Sequence, residues 1–185
     1  MLGRIDAINA DIAALDARIG EEVAPYAAAI ARLSKIPGIS PVAAHVIIAE
    51  IGLDMSRFPT AAHLASWAKF DPGVKESAGR GTTGHGNSYL ARVLGNCATA
   101  AGKTDTFLGE RYRRIARRRG KRKALVAVGR SLLVVIWHLL SDPDAQFRDL
   151  GSDYYETRID PERRKRNHLH QLEALDFKVT LEPTA

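Results

Sequence analysis

A serine in a charged, glycine-rich loop is the residue whose surroundings best suit covalent chemistry. The loop reads DPGVKESAGRGTTGHG over residues 71–86, with five glycines and almost no apolar side chains. Ser77 lies beside Lys75 and Arg80, and His85 follows. A serine hydroxyl becomes a nucleophile when a base or a cation helps to remove its proton, and attack on a phosphodiester needs positive charge near the reacting phosphate. The three basic residues are positioned by the sequence to supply this help.

The residues alone nevertheless favour a simpler role for Ser77. A serine in a glycine-rich loop commonly forms a turn or caps a helix. A loop of this length without regular structure is usually functional or mobile, which keeps the nucleophile as an alternative.

A run of nine basic residues without an acidic one between them is the second feature. It reads RYRRIARRRGKRK over residues 111–123. Closely spaced cations repel one another unless an anion is present, so the run predicts a phosphate-binding surface, chiefly on one arginine-rich helix, with strong salt dependence and no base specificity. A solvated charged face is the alternative, and Tyr112 either stacks on a base or, as its helical spacing favours, packs in the core. The predicted contacts are Arg111, Arg113, Arg114, Arg117, Arg118, Arg119, Lys121, Arg122 and Lys123.

The composition is that of a globular chain with one core, or a small core and an arm. The chain has 185 residues, of which 45% are hydrophobic, and a formal net charge of +6. Nine of its 27 Lys and Arg residues lie in the run, so the remainder, with 18 basic against 21 acidic residues, is slightly acidic. A single cysteine, Cys97, excludes an internal disulfide framework, and its place on an apolar helical stripe predicts a packed thiol.

Metal-binding and phosphate-loop motifs are not found in the sequence. His168 and His170 are two residues apart and point to different faces of a helix, and there is no HExxH motif. The glycine-rich loop lacks the GxxxxGK[ST] pattern and does not follow a strand. The sequence predicts no metal or cofactor in this chain.

The N-terminal segment carries an apolar stripe close to a heptad pattern. Two interpretations have equal weight: a coiled coil between copies of the chain, or an amphipathic helix folded back on its own domain. Pro25 is predicted to interrupt the helix. The stripe consists of Ile5, Ile8, Ile12, Leu15, Ile19 and Val23.

The segment LSKIPGISPVAAHVIIAEIG, residues 33–52, predicts two helices joined by a tight turn. The first helix is expected to end at Ile36, and Ser40 is expected to cap the second, with Pro41 as its first residue. The pattern resembles a helix-hairpin-helix, in which backbone N–H groups of the turn at Gly38 and the second helix's N-terminus contact a nucleic-acid phosphate. A plain helical hairpin is the alternative.

Helical periodicity continues along the chain, so the predicted fold class is all-α. A short helix is expected to bury Trp67, Asn87 is expected to cap the next helix, and Gly120 should separate two more. A basic amphipathic helix is predicted after Pro161. The segment FKVTLE, from Phe177, is compatible with one short strand.

The apolar segment of residues 124–140 is predicted to be a core helix rather than a membrane span. It is short for a bilayer and contains Arg130 near its centre, where a charge is costly in lipid. Asp6, Asp11 and Asp16 interrupt the apolar run that a secretion signal would need. We therefore expect a cytoplasmic protein without membrane contact.

Taken in order, the segments from about residue 33 to the end resemble the C-terminal half of insertion sequence 110 family transposases, also numbered 116 and 902. The resemblance is carried by IPGIS…AEIG, RFPTAAHLASWAKFDPGVKESAGR, GHGNSYLARVL and YRRIARRRGKRKALVAVGRSLLVVIWHLL. The family's (E/Q)S(A/G)G loop falls on residues 76–79, so the resemblance makes Ser77 the expected catalytic serine. His85 stands where the family usually has a basic residue before the Gly-Asn step.

The resemblance implies a bacterial, nucleoid-associated DNA recombinase that works with a structured guide RNA. In such proteins an RNase H-like domain with four acidic residues binds Mg²⁺, a coiled-coil arm follows, and a helical domain supplies the serine that joins covalently to DNA. This chain begins within the part that resembles the arm. We therefore expect a partial transposase that is inactive without the acidic domain, with Mg²⁺ only in that domain.

The predicted organisation has three parts: a partial coiled-coil arm (1–32), a helical transposase domain with the serine loop (33–141), and a basic C-terminal extension (142–185). The expected partners are DNA, a guide RNA and further copies of the chain bound through the N-terminal helix. A non-catalytic helical nucleic-acid-binding module and an oligomerisation fragment are the alternatives.

Overall fold

Helices account for nearly all the regular structure of this chain. A computed structural model describes residues 2–70, 76–77, 80–81, 86–158 and 160–180, with the backbone alone at 76–77 and 80–81. These residues form α1 (Leu2–Val23), α2 (Ala27–Leu33), α3 (Pro41–Ile51), α4 (Ala61–Trp67), α5 (Ser88–Ala101), α6 (Phe107–Arg119), α7 (Lys121–Ser141), α8 (Tyr154–Thr157) and α9 (Pro161–Glu173). Two residues each form β1 (Glu76–Ser77) and β2 (Arg80–Gly81). The predicted all-α class is confirmed.

Side-chain caps fix the starts of the helices. The Ser40 hydroxyl accepts a hydrogen bond from Ala43 N at 3.2 Å, and Pro41 is the first residue of α3. The Asn87 side chain accepts from Tyr89 N at 3.0 Å and Leu90 N at 3.1 Å. Each cap satisfies backbone donors that the first turn of a helix leaves free. Both predicted caps are confirmed.

The long N-terminal helix stands apart from the core. A short 3-10 turn over Ala24–Tyr26, which contains Pro25, separates α1 from α2, so the predicted interruption is confirmed. Five of the six residues of the apolar stripe keep about half of their surface exposed, from 48% at Ile19 to 61% at Leu15, and Val23 is half-buried. Only the C-terminal end of the stripe lies near α3, so most of the stripe is not folded back over the described part of the domain.

The core is centred on α7, which packs against α4, α5 and α6. Among the described residues, α7 is the helix that meets the length and composition of a membrane span. Its buried face, however, packs within the protein, as expected for a core helix. That face consists of Ala124, Val128, Gly129, Leu132, Leu133, Ile136 and Leu139.

Several local predictions differ from the structure. Trp67 was expected to be buried, but it is 42% exposed. Its indole packs on the ring of Phe58, with ring centroids 5.4 Å apart. The first helix of the hairpin ends at Leu33, and turns continue the chain to Gly38. Residues 177–180 form no strand, since no described segment lies alongside to pair with them.

Cys97 lies in the core, with 2% of its surface exposed. Burial raises the pKa of its thiol to about 11, because the apolar surroundings disfavour the thiolate. The predicted packed, unreactive thiol is consistent with this position.

The turn between α2 and α3 is pressed against the backbone of α5. Gly38 has φ +91°, and a Cβ built there would lie 2.4 Å from Cys97 O and 2.8 Å from Ala101 N. Only glycine fits such a contact without displacing backbone. Gly38 therefore holds the α2–α3 hairpin against α5.

We predict that Gly38→Ala lowers the free energy of unfolding by at least about 2 kcal/mol, through positive-φ strain and backbone overlap. Gly95→Ala is the matched control, because Gly95 lies in α5 and a Cβ added there would have no neighbouring atom within 4 Å. Alanine there should stabilise the helix by about 0.5–1 kcal/mol. Urea denaturation followed by circular dichroism measures both, and equal stability of the two variants would contradict the assignment.

Candidate nucleic-acid interface

The entrance to the serine loop is fixed by the core. Phe70 N donates to Ala65 O at 2.9 Å, and the Phe70 side chain is 8% exposed. Its ring packs so closely on α7 that a Cβ at Gly129 would lie 2.4 Å from the ring. The loop therefore leaves the domain from a position that the packing of α7 determines.

The exit of the loop is tied to the α2–α3 hairpin. Asn87, which caps α5 with its side-chain oxygen, donates through Nδ2 to the Glu50 carboxylate near the end of α3. Gly86, at the end of the loop, lies against the backbone of Ala68, which precedes the loop. The two ends of the loop are thus held near each other, and the exit is held to the hairpin.

Within the loop, the backbones of residues 76–77 and 80–81 form a small antiparallel ladder. Ser77 pairs with Arg80 and Glu76 with Gly81. The ladder brings the backbones of Ser77 and Arg80 together, as a joint role requires. Lys75 and His85, and the side chains of Ser77 and Arg80, lie outside the described structure, so their predicted roles stay predictions.

The arginine run follows two helices and not one. It occupies the second half of α6 up to Arg119, passes through Gly120, and continues into the first turn of α7 from Lys121. Because α6 and α7 pack against each other, Gly120 forms a corner. The predicted break at Gly120 is confirmed, and six of the nine basic residues lie on α6.

Carboxylates beside the run neutralise part of it. Glu110 accepts from Arg113 Nε at 2.9 Å and from Arg117 Nη2 at 3.0 Å. Arg113 also lies 3.7 Å from the Asp105 carboxylate and donates to Thr104 O at 3.0 Å. The run has no acidic residue inside it, but the helical spacing brings Glu110 onto the same face.

Two more arginines are engaged by the C-terminal extension. Arg111 Nη1 donates to the Tyr155 hydroxyl at 3.2 Å, and the guanidinium of Arg114 lies 4.1 Å from the centre of the Tyr155 ring. Phe107 stacks on the same ring with centroids 5.4 Å apart. Attraction between a cation and an aromatic face, together with this stacking, holds α8 against α6.

Asp149 adds a polar anchor to this contact. Its Oδ1 accepts from Phe107 N, the first residue of α6, at 3.2 Å, and its Oδ2 accepts from Gly151 N at 3.0 Å. A carboxylate at the positive end of a helix is stabilising. Sequence reasoning missed Asp149, Tyr154 and Tyr155, because about 40 residues separate them from their partners and no local pattern signals a contact over that separation.

Tyr112 has a structural role. It is half-buried, and its ring lies against Gly102, where a Cβ would come within 2.8 Å of Cδ1. Core packing, which its spacing favoured, is therefore the correct interpretation, and base stacking is not.

Five cations of the run remain at the corner, and we call them the corner cations. All five are exposed, and no described residue pairs with them. They surround the N-terminus of α7, whose first turn has no acidic residue and no side-chain cap. The corner cations are Arg118, Arg119, Lys121, Arg122 and Lys123.

A metal site is not found among the described residues, which contain no group of three His, Cys, Asp or Glu side chains placed to hold an ion. The described side chains therefore do not form a site for Mg²⁺, which the resemblance assigns to a separate acidic domain.

Comparison with known proteins points to transposases. Residues 30–113 match the sequence model of the transposase IS116/IS110/IS902 family. The insertion element IS110 uncharacterized 43.6 kDa protein of Streptomyces coelicolor is 33% identical over 136 residues, which cover 69% of this chain and 30% of that protein. The chain thus spans less than a third of the length of this curated relative. No solved structure matches the chain.

The matched region extends from α2 into α6 and includes the serine loop. Over these residues the chain is similar to the IS116/IS110/IS902 transposase family, which confirms the resemblance predicted from the sequence.

Proposed function

We propose that this chain is the nucleic-acid-binding and serine-bearing part of an insertion-sequence transposase, and that the corner cations grip the DNA backbone. The observation that carries the proposal is the division of the arginine run. Four arginines have partners within the protein, while five cations project from one corner without any in the described structure.

The corner is electrostatically unfavourable unless an anion is bound. Arg119 lies in the last turn of α6, at the negative end of the helix dipole, and this position stabilises its positive charge. Lys121 and Lys123, in the first turn of α7, face a positive end and repel each other. A phosphate at this point would relieve the repulsion and accept from the free N–H groups of α7.

We predict that replacing Arg122 and Lys123 by Gln weakens DNA binding equally for unrelated sequences. Each lost phosphate contact should reduce the slope of log K against log salt by about 0.9, so the double variant should lose about 2. Fluorescence anisotropy with two duplexes of unrelated sequence, between about 50 and 200 mM salt, measures the slope.

Arg57→Gln is the control for this experiment. Arg57 is also exposed, but it adjoins Phe58, whose carbonyl accepts from Trp137 Nε1 at 2.8 Å. Trp137 lies 15 residues beyond Arg122 along α7, a distance of about 22 Å. Equal salt slopes for the corner variant and this control would reject the corner as the DNA contact.

For catalysis, we propose that Ser77 attacks the DNA phosphate. The hydroxyl gives up its proton, its oxygen forms a bond to phosphorus, and the bond from phosphorus to one deoxyribose oxygen breaks, with that oxygen taking up a proton. Lys75, Arg80 and His85 would assist by charge and proton transfer. The similarity to the transposase family and the fixed loop ends support this proposal. The step is expected to need the acidic domain and a guide RNA.

The test combines the chain with a separately expressed acidic domain, guide RNA and donor DNA. We expect a covalent protein–DNA adduct that resists denaturing electrophoresis and disappears in Ser77→Ala. Ser66→Ala, a change at an exposed serine of α4, should leave the yield unchanged. An adduct that persists in Ser77→Ala would remove Ser77 from the chemistry and favour the non-catalytic binding module.

The α2–α3 hairpin is a second proposed DNA contact. The capped start of α3, which follows the turn at Gly38, supports this role, and the link from Asn87 to Glu50 holds the other end of α3 to the exit of the serine loop. A phosphate there would meet backbone N–H groups, as in a helix-hairpin-helix. These contacts are consistent with a cytoplasmic protein acting near the nucleoid.

We also propose that α1 pairs with α1 of a second copy. The stripe is continuous over five turns, and every member that the structure describes is partly or largely exposed. At its C-terminal end, Leu15, Ile19 and Val23 form an apolar groove with Val46 and Ala49 of α3. Burial of such a stripe between two helices is the usual way to remove it from water.

We predict that the chain self-associates in a concentration-dependent way and that Ile12→Glu shifts it to monomer. Ile12 is 50% exposed, so the substitution leaves the monomer's core intact. Ala17→Glu, on the opposite face of α1, is the matched control and should leave the association constant within about twofold. Sedimentation equilibrium gives the constants, and a wild-type chain that stays monomeric at about 100 µM, or identical constants for both variants, would contradict the pairing.

A further inference from the structure

A cavity of about 400 Å³ lies between α6, α7 and residues 147–150, and none of the corner cations lines it. Its walls are largely apolar, with Phe107 and Leu108 from α6, Val134 and Val135 from α7, and Phe147 from the segment that follows. Small-ligand sites usually enclose about 300–1,000 Å³ between such walls, with a few polar groups that fix the orientation of the ligand.

Three arginines line the same cavity from three different elements. Arg111 belongs to α6, Arg130 to α7, and Arg148 to the segment that closes the cavity. Arg130 is the residue that interrupts the apolar sequence of α7. The cavity therefore combines apolar walls with three arginine residues.

Asp149, the acidic residue at the cavity, already has hydrogen-bond partners within the protein. Both carboxylate oxygens of Asp149 accept backbone hydrogen bonds, from Phe107 and Gly151. Arg111 Nε, by contrast, is buried without an acceptor among the described residues. Buried donors nearly always have an acceptor, so a ligand oxygen is the expected partner.

We propose that this cavity binds one nucleoside 5′-phosphate, with the base against the aromatic and aliphatic walls and the phosphate on the arginines. A flat, weakly polar ring suits the walls, and a phosphate suits guanidinium groups that donate in pairs. The nucleotide could come from two sources. One is an unpaired residue of bound DNA, and for this source the inference rests on the proposed nucleic-acid binding. A free nucleotide is the other source.

The first experiment titrates the full chain with deoxyadenosine 5′-monophosphate and follows methyl resonances by NMR. The methyl groups of Val134 and Val135 should shift with saturation, while those of Val42, an exposed valine of α3, should not. Deoxyadenosine alone and inorganic phosphate alone should each bind at least about tenfold more weakly, since each supplies half of the contacts.

Two substitutions test the arginines. Arg148→Gln changes an exposed side chain and should fold normally, and it should weaken binding of the nucleotide about tenfold. Arg130→Gln should do the same, with circular dichroism as a check that α7 still forms. Arg122→Gln, at the corner, should leave binding of the nucleotide unchanged while it weakens DNA binding.

A DNA duplex with one extra, unpaired adenosine distinguishes the two sources. Preference for this duplex over the perfect one, lost in Arg148→Gln, assigns the site to bound DNA, whereas nucleotide binding without that preference assigns it to free nucleotide. Absence of shifts at Val134 and Val135 would overturn the proposal. A normal nucleotide response with no effect of Arg122→Gln on DNA would instead reject the corner and leave the cavity standing.

Discussion

The burial of one face of α7 is the interaction on which the other features depend. Leu132, Leu133 and Ile136 are fully buried against neighbouring helices, and removing each such side chain from water contributes about 1.5–3 kcal/mol. The same helix receives the Phe70 ring at Gly129 and thereby fixes where the serine loop starts. Its N-terminus forms the corner, and its outer face forms a wall of the cavity. Core packing thus positions three separate regions of proposed function.

The arrangement of charge follows from helical spacing and from the packing of α8. Glu110 lies on the same face of α6 as Arg113 and Arg117, and Tyr155 of α8 contacts Arg111 and Arg114, so these four arginines have partners within the protein. The cations on both sides of Gly120 are exposed. A run that is uniform in sequence is therefore divided into a structural half and a half available to an anion. The division would not be visible from the number of charges alone.

Local features were predictable to the extent that their causes are local. Ser40 and Asn87 were recognised as caps because a cap needs only a side-chain oxygen two or three residues before free N–H groups. Pro25 was placed correctly for a similar reason. Trp67 was misplaced because helical periodicity does not reveal that its ring packs on Phe58, at the edge of the core, and stays partly exposed. The serine loop was identified from its glycines, yet the contacts of Phe70 and Glu50 that fix its ends involve residues far apart in sequence.

Residue types and their order along the chain were sufficient to predict the all-α class, the helix boundaries set by caps and breakers, and the resemblance to a transposase family, since each depends on short spacings or on the succession of motifs. Tertiary packing alone established that Arg111 and Arg114 contact Tyr155, that most of the α1 stripe stays exposed, and that Arg111, Arg130 and Arg148 line one cavity. These outcomes depend on contacts between segments that are distant in the chain. Such contacts arise when apolar faces pack to exclude water, and the spacing of residues within a single helix does not encode which faces will meet.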